Sequence, residues 1–317
     1  MEVAQDFIEK GNPVRRVLRY CSLSKSSYYY KSRGTKAGRK PYALMLDNEG
    51  RPLSEPKVVK QIEKLFSNPF VDYGSYKTYI YLRDELKYTI SKHKVYNIMR
   101  GNGLTRKRYQ ESSKKSRKNW VKDLIPQVNC AFNFFEFDIK FVWIEGLRRN
   151  IQVLTVLDVY SRYNMGQFIG FNISSKNVKT LFDQIITKYG LPEKFTVRCD
   201  NGSQFIANEV QFFLSRKGVT QEFTKPNTPQ QNAHIESYHS IMERAICQRF
   251  SFDSKTEFID TMDEFRKFYN FDRIHSGVSF TSPYKYLMTL MKNIENKEYQ
   301  KPFSFVKSNY NQFKKVS

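Results

Sequence analysis

The stretch that decides the fold runs from residue 134 to residue 141 and reads FFEFDIKF. Four apolar side chains alternate in it with charged ones: Phe135, Phe137, Ile139 and Phe141. Alternation with a period of two predicts a β-strand with one buried face. Asp138 is therefore predicted to point away from the buried row.

Two more acidic residues occupy marked positions further along the chain. Asp200 comes directly after a second short alternating run, which ends at Cys199, and an Asn-Gly turn follows it. Ligand sites in open α/β sheets favour such strand ends. Glu236 falls on a predicted helix whose apolar residues, including Ile235 and Tyr238, lie on another face. Three separate elements thus offer one carboxylate each, and the three can converge.

A cluster of carboxylates needs a positive charge among them. Like charges repel and raise one another's pKa, so the cluster is tolerated only around a cation. Oxygen ligands suit Mg²⁺, which takes a few carboxylates together with phosphate oxygens of a substrate. We predict two Mg²⁺ or Mn²⁺ ions at Asp138, Asp200 and Glu236, an arrangement suited to phosphodiester chemistry. Any one of these acids alone is more often a solvated strand end or helix face, so the hypothesis rests on the combination.

The composition is that of a basic globular protein. The 317 residues are 40% hydrophobic and carry a formal charge of +22, of which +16 falls in residues 1–125. This asymmetry and a pI near 9.7 favour a nucleic-acid partner over a merely soluble basic surface. No apolar run reaches the ~18 residues of a membrane span and the first residues do not read as a signal peptide, so we expect a soluble cytoplasmic chain. Four separated cysteines argue against a zinc ribbon or a disulfide framework.

The front of the chain is predicted to be helical. Short helical pieces within residues 6–30 resemble a small helix-turn-helix unit. A second three-helix group spans residues 57–105, and its last helix starts at Ser91. That helix carries Lys92 and Lys94, as a groove-docking helix does, although a solvated basic face explains them almost as well.

A strongly basic stretch follows the second helical group. Residues 106–122 hold eight basic residues and one acid, with few apolar residues among them. The stretch is either a disordered spacer or an arm that follows DNA phosphates and orders on binding, and the two interpretations are compatible. The predicted DNA-contacting residues are Lys92, Lys94, Arg106, Lys107, Arg108, Lys114, Lys115, Lys118 and, on the strand of Asp138, Lys140.

The pattern after the basic stretch is typical of an α/β domain. Strands at 134–143, 150–157 and 165–172 form a predicted antiparallel meander, and the helix after them ends at Gly190. Short strands and helices then alternate up to the helix with Glu236. We predict a mixed sheet flanked by helices, in the order of a ribonuclease-H-like fold.

These observations divide the chain into six predicted segments. They are a helix-turn-helix-like unit (1–35), a linker (36–56), a second helical DNA-binding unit (57–105), a basic linker (106–124), the ribonuclease-H-like core (125–287) and a C-terminal tail (288–317).

With these elements in place, the sequence resembles the DDE transposases of bacterial insertion sequences. In particular, it resembles the product of their downstream reading frame (OrfB), which has a retroviral-integrase-like catalytic core. The matching motifs are LDVYSR at 157–162, DNGSQF at 200–205, NAHIES at 232–237 and YN at 269–270. Thirty-five residues separate Asp200 from Glu236, which is the spacing typical of the family. The resemblance extends from about residue 14 to about residue 287.

Three positions depart from the pattern of similar transposases. Relatives commonly have Trp in place of Phe135, Thr in place of Lys140 and often a basic residue in place of Glu243. Lys140 is placed to contact substrate phosphate or to neutralise part of a metal site, whereas Glu243 weakens a DNA-contacting helix. Neither change removes a predicted metal ligand. Asp158 also belongs to the family pattern, and we predict that it caps the turn after its strand.

The resemblance implies metal-dependent cleavage of DNA by water and strand transfer by a DNA 3′-hydroxyl, with Asp138, Asp200 and Glu236 as catalytic residues. It also implies that the protein binds element ends and target DNA as a homo-oligomer on the bacterial nucleoid. An upstream-frame subunit is expected to recognise the element ends.

Two other hypotheses stay open. One is a nuclease of the ribonuclease-H fold, which a strand-transfer assay with a 3′-hydroxyl end separates from a transposase. The other is an inactive or domesticated DNA-binding regulator, which metal-dependent nicking of end-containing DNA excludes.

Overall fold

The structure is a computed structural model. It describes residues 2–30, 44–106, 128–191, 193–225 and 229–295. The chain divides into two compact units, residues 1–43 and residues 44–317. The division into six segments stays a prediction.

The first unit is a small group of three helices. They are α1 (Glu2–Glu9), α2 (Val14–Tyr20) and α3 (Lys25–Tyr28). Ala4, Val17 and Leu18 form its buried core. The hydroxyl of Ser24 accepts the Ser27 N–H at 3.0 Å and so caps the first turn of α3.

The second unit begins with another helical group. Its helices are α4 (Glu55–Phe66), α5 (Ser75–Ile80), which continues as a π-helical turn over Tyr81–Glu85, and α6 (Lys92–Gly101). Val58, Ile62, Leu82 and Val95 pack together in its core. The helix is predicted to start at Ser91, and in the structure Ser91 precedes α6 and caps it by accepting the Lys94 N–H at 3.2 Å.

A five-stranded mixed sheet follows. Its strands are β1 (Phe134–Ile144), β2 (Arg149–Asp158), β3 (Asn164–Gly170), β4 (Phe195–Cys199) and β5 (Val219–Phe223). They lie in the order β3-β2-β1-β4-β5. The first three form an antiparallel meander, and β4 and β5 run parallel to β1. The predicted ribonuclease-H-like mixed sheet is confirmed.

Six helices accompany the sheet in the described part of the chain. They are α7 (Ser175–Tyr189), α8 (Ser203–Ile206), α9 (Asn208–Arg216), α10 (Ala233–Met242), α11 (Lys255–Phe271) and α12 (Pro283–Glu295). A π-helical turn over Glu243–Cys247 extends α10. Gly190 ends α7 with a left-handed backbone (φ 50°), which glycine adopts without strain.

Apolar clusters cover both faces of the sheet. On one face, Phe135 and Phe137 pack with residues of α7, and the ring centroids of Phe137 and Phe182 lie 4.9 Å apart. On the other face, Val142 packs in a cluster with Tyr238 and other residues of α10 and α11. Complete burial of one such side chain stabilises the fold by roughly 1.5–3 kcal/mol. The sheet is therefore a central layer, and α10 is fixed against it.

The prediction that Phe141 lies in the buried row was wrong. The cluster on the α7 side includes Phe135, Phe137 and Ile139, but Phe141 lies beyond it with 58% of its surface exposed. At this end β1 is buried on its other face, through Val142 and neighbouring residues. The side on which β1 is covered thus changes along its length.

Neither a disulfide nor a membrane helix is found in the described residues. All four cysteines are free. Among the described helices, none is long and apolar enough to cross a membrane.

Candidate active site

The pairing of β1 with β4 brings two of the predicted acids to one level of the sheet. The strands run parallel, and their last paired residues are Glu136 and Arg198. Asp138 and Asp200 each come two positions later. Residues two apart on a strand share a face, so Asp138 lies on the Glu136 side of β1, next to the end of β4.

The third acid comes from α10. Glu236 is exposed in the first turn of this helix and lines, together with Asp138, an open groove of about 890 Å³. β1 also contributes Lys140 to the groove, and α10 also contributes His239 and Ser240. Two predicted ligands therefore share one groove.

The charges of the other two predicted acids act on Asp138. Burial, and then the charges of Asp200 and Glu236, raise the pKa of Asp138 to about 7. Burial and the charge of Glu136 raise the pKa of Glu236. No three acidic, histidine or cysteine side chains of the described residues lie close enough to hold one metal ion. The acids thus share a region without forming a compact cluster of three ligands.

The turn that carries Asp200 is held in place by hydrogen bonds. The Asp200 carboxylate accepts the Gly202 N–H at 2.9 Å, and the Asn201 side chain donates to the Thr224 carbonyl, also at 2.9 Å. A Cβ atom at Gly202 would lie 3.1 Å from the Asp200 carboxylate oxygen. The Asn-Gly sequence therefore both anchors the turn beside β5 and leaves room for the carboxylate.

Glu136 is a fully buried carboxylate whose importance the sequence analysis missed. Its Oε2 accepts the backbone N–H groups of His234 and Ile235 at 2.9 and 2.8 Å, and its Oε1 lies 2.8 Å from His234 Nδ1. These N–H groups belong to the first turn of α10 and have no partner within the helix. Glu136 therefore ties the helix that carries Glu236 to the strand that carries Asp138.

Arg198 on β4 binds the segment of the chain that leads into α10. Its guanidinium donates to Glu222 Oε2 at 2.7 and 3.0 Å and to the Gln231 carbonyl at 3.0 Å. Its side chain also lies 5.0 Å from the centre of the Phe134 ring. Both β1 and β4 therefore position α10.

His239 lines the groove, and no sequence pattern singled it out. It follows Glu236 by three positions on α10, and its Nδ1 lies 3.5 Å from Asp138 Oδ2. Burial, and then the charge of Lys140, lower its pKa to about 4, so its ring is neutral at pH 7. A helical spacing of three or four residues from Glu236 was the available signal.

The two unusual charges of the groove form an ion pair. Lys140 Nζ on β1 lies 2.8 Å from Glu243 Oε2 in the turn that extends α10. Both side chains are partly exposed. Lys140 and Glu243 therefore neutralise each other's charge.

Asp158 has the predicted structural role. Its carboxylate is fully buried and accepts the backbone N–H groups of Phe132 and Ser161 at 2.9 and 2.7 Å. It therefore caps the turn after β2.

The predicted DNA contacts on α6 are occupied by protein groups. Lys94 Nζ lies 2.9 Å from Glu55 Oε2, and Lys92 Nζ lies 5.1 Å from the centre of the Tyr76 ring. Arg106 Nη2 lies 3.3 Å from Asp72 Oδ2. The remaining predicted contacts lie outside the described residues: Lys107, Arg108, Lys114, Lys115 and Lys118.

Substitution of Glu136 provides a test of its positioning role. Glu136→Ala leaves buried N–H groups of α10 without an acceptor, at a cost of about 1–3 kcal/mol for each group. We expect turnover in a DNA strand-transfer assay to fall about 100-fold, because a small displacement of Glu236 is sufficient for such a loss. Glu136→Gln retains an acceptor oxygen and is expected to lose less than about tenfold. Asp158→Asn is the matched control, because it changes another fully buried carboxylate away from α10. Equal activity of the Ala and Gln variants would contradict the role.

Two known families match the part of the chain that contains the sheet and the groove. A family described as "Integrase core domain" matches residues 129–229, and a second family with the same description matches residues 217–283. Asp138 and Asp200 fall in the first match, and Glu236 falls in the second. The sheet and the groove therefore lie within the residues that match an integrase core domain.

Two curated proteins of insertion elements are similar to parts of this chain. The "Insertion element IS476 uncharacterized 39.2 kDa protein" of Xanthomonas euvesicatoria is 30% identical over 43% of this chain and 38% of its own length. The "Transposase for insertion sequence element IS904" of Lactococcus lactis is 27% identical over 40% of this chain and 51% of its own length. The chain thus spans about half or less of the length of these relatives. The matches to an integrase core and to proteins of insertion elements agree with the resemblance that the motifs indicate.

Two solved structures show more distant likenesses. A chain of the simian T-cell lymphotropic virus intasome in complex with PP2A regulatory subunit B56 gamma is 13% identical, with a TM-score of 0.41 over 71% of this chain and 73% of that chain. The HTLV-2 integrase catalytic core domain in complex with magnesium is 13% identical, with a TM-score of 0.38 over 48% of this chain and 94% of that chain.

Proposed function

We propose that the protein is a DDE transposase that cleaves DNA at the ends of an insertion sequence and joins those ends to target DNA. The observation that carries the proposal is the arrangement of Asp138, Asp200 and Glu236. One acid lies on β1, one follows β4 at the same level, and one lies across a groove on α10. This arrangement belongs to the part of the chain that matches the integrase core.

The proposed reaction is two successive displacements at phosphorus. In cleavage, a water oxygen bonds to phosphorus, the bond from phosphorus to the 3′-oxygen breaks, and that oxygen leaves as a 3′-hydroxyl. In strand transfer, the new 3′-hydroxyl attacks a target phosphodiester and releases a target 3′-hydroxyl. The number of phosphodiester bonds is conserved in the second step, so it needs neither a high-energy cofactor nor a covalent bond between protein and DNA.

We propose that the three acids hold divalent metal ions, Mg²⁺ or Mn²⁺, two in number. Their donor atoms are carboxylate oxygens, which suit these cations. Burial, and then the charges of Asp200 and Glu236, raise the pKa of Asp138, and a bound cation would offset both effects. When bound, two such ions activate the attacking oxygen and stabilise the leaving one. The protein's own task is to set the spacing of the acids, through the pairing of β1 with β4 and through the bonds of Glu136 to α10.

The partners are proposed from the charge of the chain and from the class of its relatives. The basic front of the chain is proposed to bind DNA through Lys92, Lys94 and the stretch that starts at Arg106. The proposed boundaries of its segments are those predicted from the sequence. A homo-oligomer would bring two element ends together on the nucleoid. An upstream-frame subunit, fused or associated, would supply recognition of the ends.

A strand-transfer assay tests the proposed function. The purified chain is incubated with Mn²⁺, a target plasmid and a labelled duplex that ends in the terminal sequence of its element and exposes a 3′-hydroxyl. We expect labelled joint products that depend on the 3′-hydroxyl and disappear with a 3′-dideoxy end. Cleavage of an RNA–DNA hybrid without joining would instead indicate a nuclease. Binding without either reaction would indicate a regulator.

Footprinting tests the need for the upstream subunit. With this chain alone, at physiological salt and with competitor DNA, we expect no preferential protection of one terminal repeat. Selective protection would place end recognition in this chain and direct attention to α6, whose basic residues lie near its amino end.

A further inference from the structure

A buried carboxylate gathers three guanidinium groups beside the groove. Asp72 lies in the segment between α4 and α5 and is 3% exposed. It bonds to Arg273 Nη1 through one oxygen, and its other oxygen lies 3.2 Å from Arg244 Nε and 3.3 Å from Arg106 Nη2. Three regions of the chain that are distant in sequence therefore bring one cation each to this carboxylate.

The cluster carries more positive than negative charge. Among the described residues, Asp72 is the only carboxylate within 4 Å of any of these three guanidinium groups. Arg249 lies next to the same segment and donates to the Pro69 and Val71 carbonyls at 2.5 and 3.0 Å. Burial, and then the charge of Arg273, lower the pKa of the neighbouring Lys77 to about 7, as expected where positive charge is in excess.

The members of the cluster differ in exposure. The Arg273 side chain is buried, at 2% exposure, whereas those of Arg106 and Arg244 are 45% and 42% exposed. Asp72 and Arg273 form the fixed base of the cluster, and two guanidinium groups remain accessible at its surface. Guanidinium groups held in one place are suited to hydrogen-bond the oxygens of a phosphate.

The cluster is continuous with the groove of the predicted acids. Arg244 lies in the turn that extends α10, and it lines the same groove as Asp138 and Glu236. One accessible cation of the cluster is thus part of the groove wall. Arg106 is the first residue of the basic stretch seen in the sequence.

We propose that Arg106 and Arg244, held by Asp72, form a binding site for a DNA backbone phosphate next to the groove. The proposal rests on the proposed function, because it assumes that DNA enters the groove. It adds residues that the sequence analysis did not assign: Arg244 as a phosphate ligand, and Asp72 and Arg273 as the groups that position the ligands. The site would contact the phosphate backbone and not the bases, so it would bind DNA of any sequence.

Salt-dependent DNA binding tests the site. Binding of a fluorescent 30-base-pair duplex of arbitrary sequence is measured by anisotropy between 50 and 200 mM NaCl, in EDTA, for Arg106→Gln, Arg244→Gln and the double variant. Each lost phosphate contact is expected to reduce the slope of log K against log salt by about 0.9. Each is also expected to weaken binding by about tenfold. Because Lys retains the charge but not the fork of donors, Arg244→Lys is expected to keep the slope but bind more weakly than wild type.

Controls separate phosphate binding from a purely structural role. Arg51→Gln removes an exposed guanidinium that pairs with Asp47 and Glu49, and we expect it to leave the slope unchanged. Thermal melting of each variant reports whether it is folded. Folded Arg106→Gln and Arg244→Gln variants with wild-type slopes would overturn the proposal, and so would an equal loss of slope in Arg51→Gln.

The outcome is independent of the reaction, because binding is measured without divalent ions. Reduced slopes in a protein that never joins DNA would support the phosphate site and refute the proposed function. Normal strand transfer with unchanged slopes would support the proposed function and refute the phosphate site.

Discussion

Glu236→Gln is expected to abolish both DNA cleavage and strand transfer, with a loss of at least about 1,000-fold in the rate of each. Gln has nearly the same shape as Glu but lacks the negative charge with which Glu236 is proposed to hold a divalent cation. The loss should appear in the chemical rate constant of a single-turnover assay on pre-bound DNA. DNA binding measured in EDTA should remain within about twofold of wild type.

Variants of the other two acids test the same proposal, and a variant of a nearby acid is the control. Asp138→Asn and Asp200→Asn should lose activity to a similar extent. Glu243→Gln is the matched control, because Glu243 lines the same groove but pairs with Lys140 and is not proposed as a metal ligand. Retained nicking by Glu236→Gln would refute the assignment of this residue. An equal loss in Glu243→Gln would show that the assay reports the charge of the groove and not a metal ligand.

Asp72→Asn is expected to lower the free energy of unfolding by about 3–5 kcal/mol at pH 7, because it removes one partner of a buried ion pair. Arg273, which is 2% exposed, would be left as a buried charge without its counter-ion. Urea unfolding monitored by circular dichroism measures the change as a lower midpoint at unchanged slope. Asp84→Asn is the control, because Asp84 pairs with Arg83 at the surface, where ion pairs contribute little.

The effect of Asp72→Asn should depend on pH in a defined direction. Burial opposes ionisation of Asp72, but the charge of Arg273 and then the hydrogen bond from that side chain outweigh it and hold the pKa near 2, below the ordinary value of 3.8. A depressed pKa stabilises the folded state above the unfolded pKa, and the stabilisation is lost as the pH falls through the folded pKa. The difference in unfolding free energy between wild type and variant should therefore be constant above about pH 5. It should shrink as the pH falls from about 4 towards 2. A difference that grows with acidity would contradict this account.

The main elements of the core could be predicted because their signals are local. Alternation over residues 134–141 identified β1, and the end of α7 was marked by Gly190. The spacing of Asp200 and Glu236 supported the family resemblance. By contrast, no pattern in the sequence identified α11 or α12, although the YN motif falls within α11.

Contacts between distant parts of the chain could not be predicted in this way. Glu136 reads locally as an outward polar residue of a strand, but helices cover both faces of this sheet, and its partners lie 98 and 99 positions away. Asp72 and Arg273 are 201 positions apart. A period-two pattern shows which residues share a face, but it does not show what lies against that face. The buried carboxylates that organise the site were therefore found only in the folded chain.

The ion pair between Lys140 and Glu243 couples β1 to the end of α10. In a chimera with a related protein, these two elements must therefore be replaced together. Converting Lys140 alone to Thr would leave Glu243 as an unpaired negative charge beside the acids that are proposed to be catalytic. Converting Glu243 alone to Lys would place two positive charges against each other. The double change removes both problems and leaves one unpaired Lys in the groove, so the effects of the two substitutions are expected to be non-additive. A chimera that takes α10 from a related transposase should therefore take β1 from the same parent.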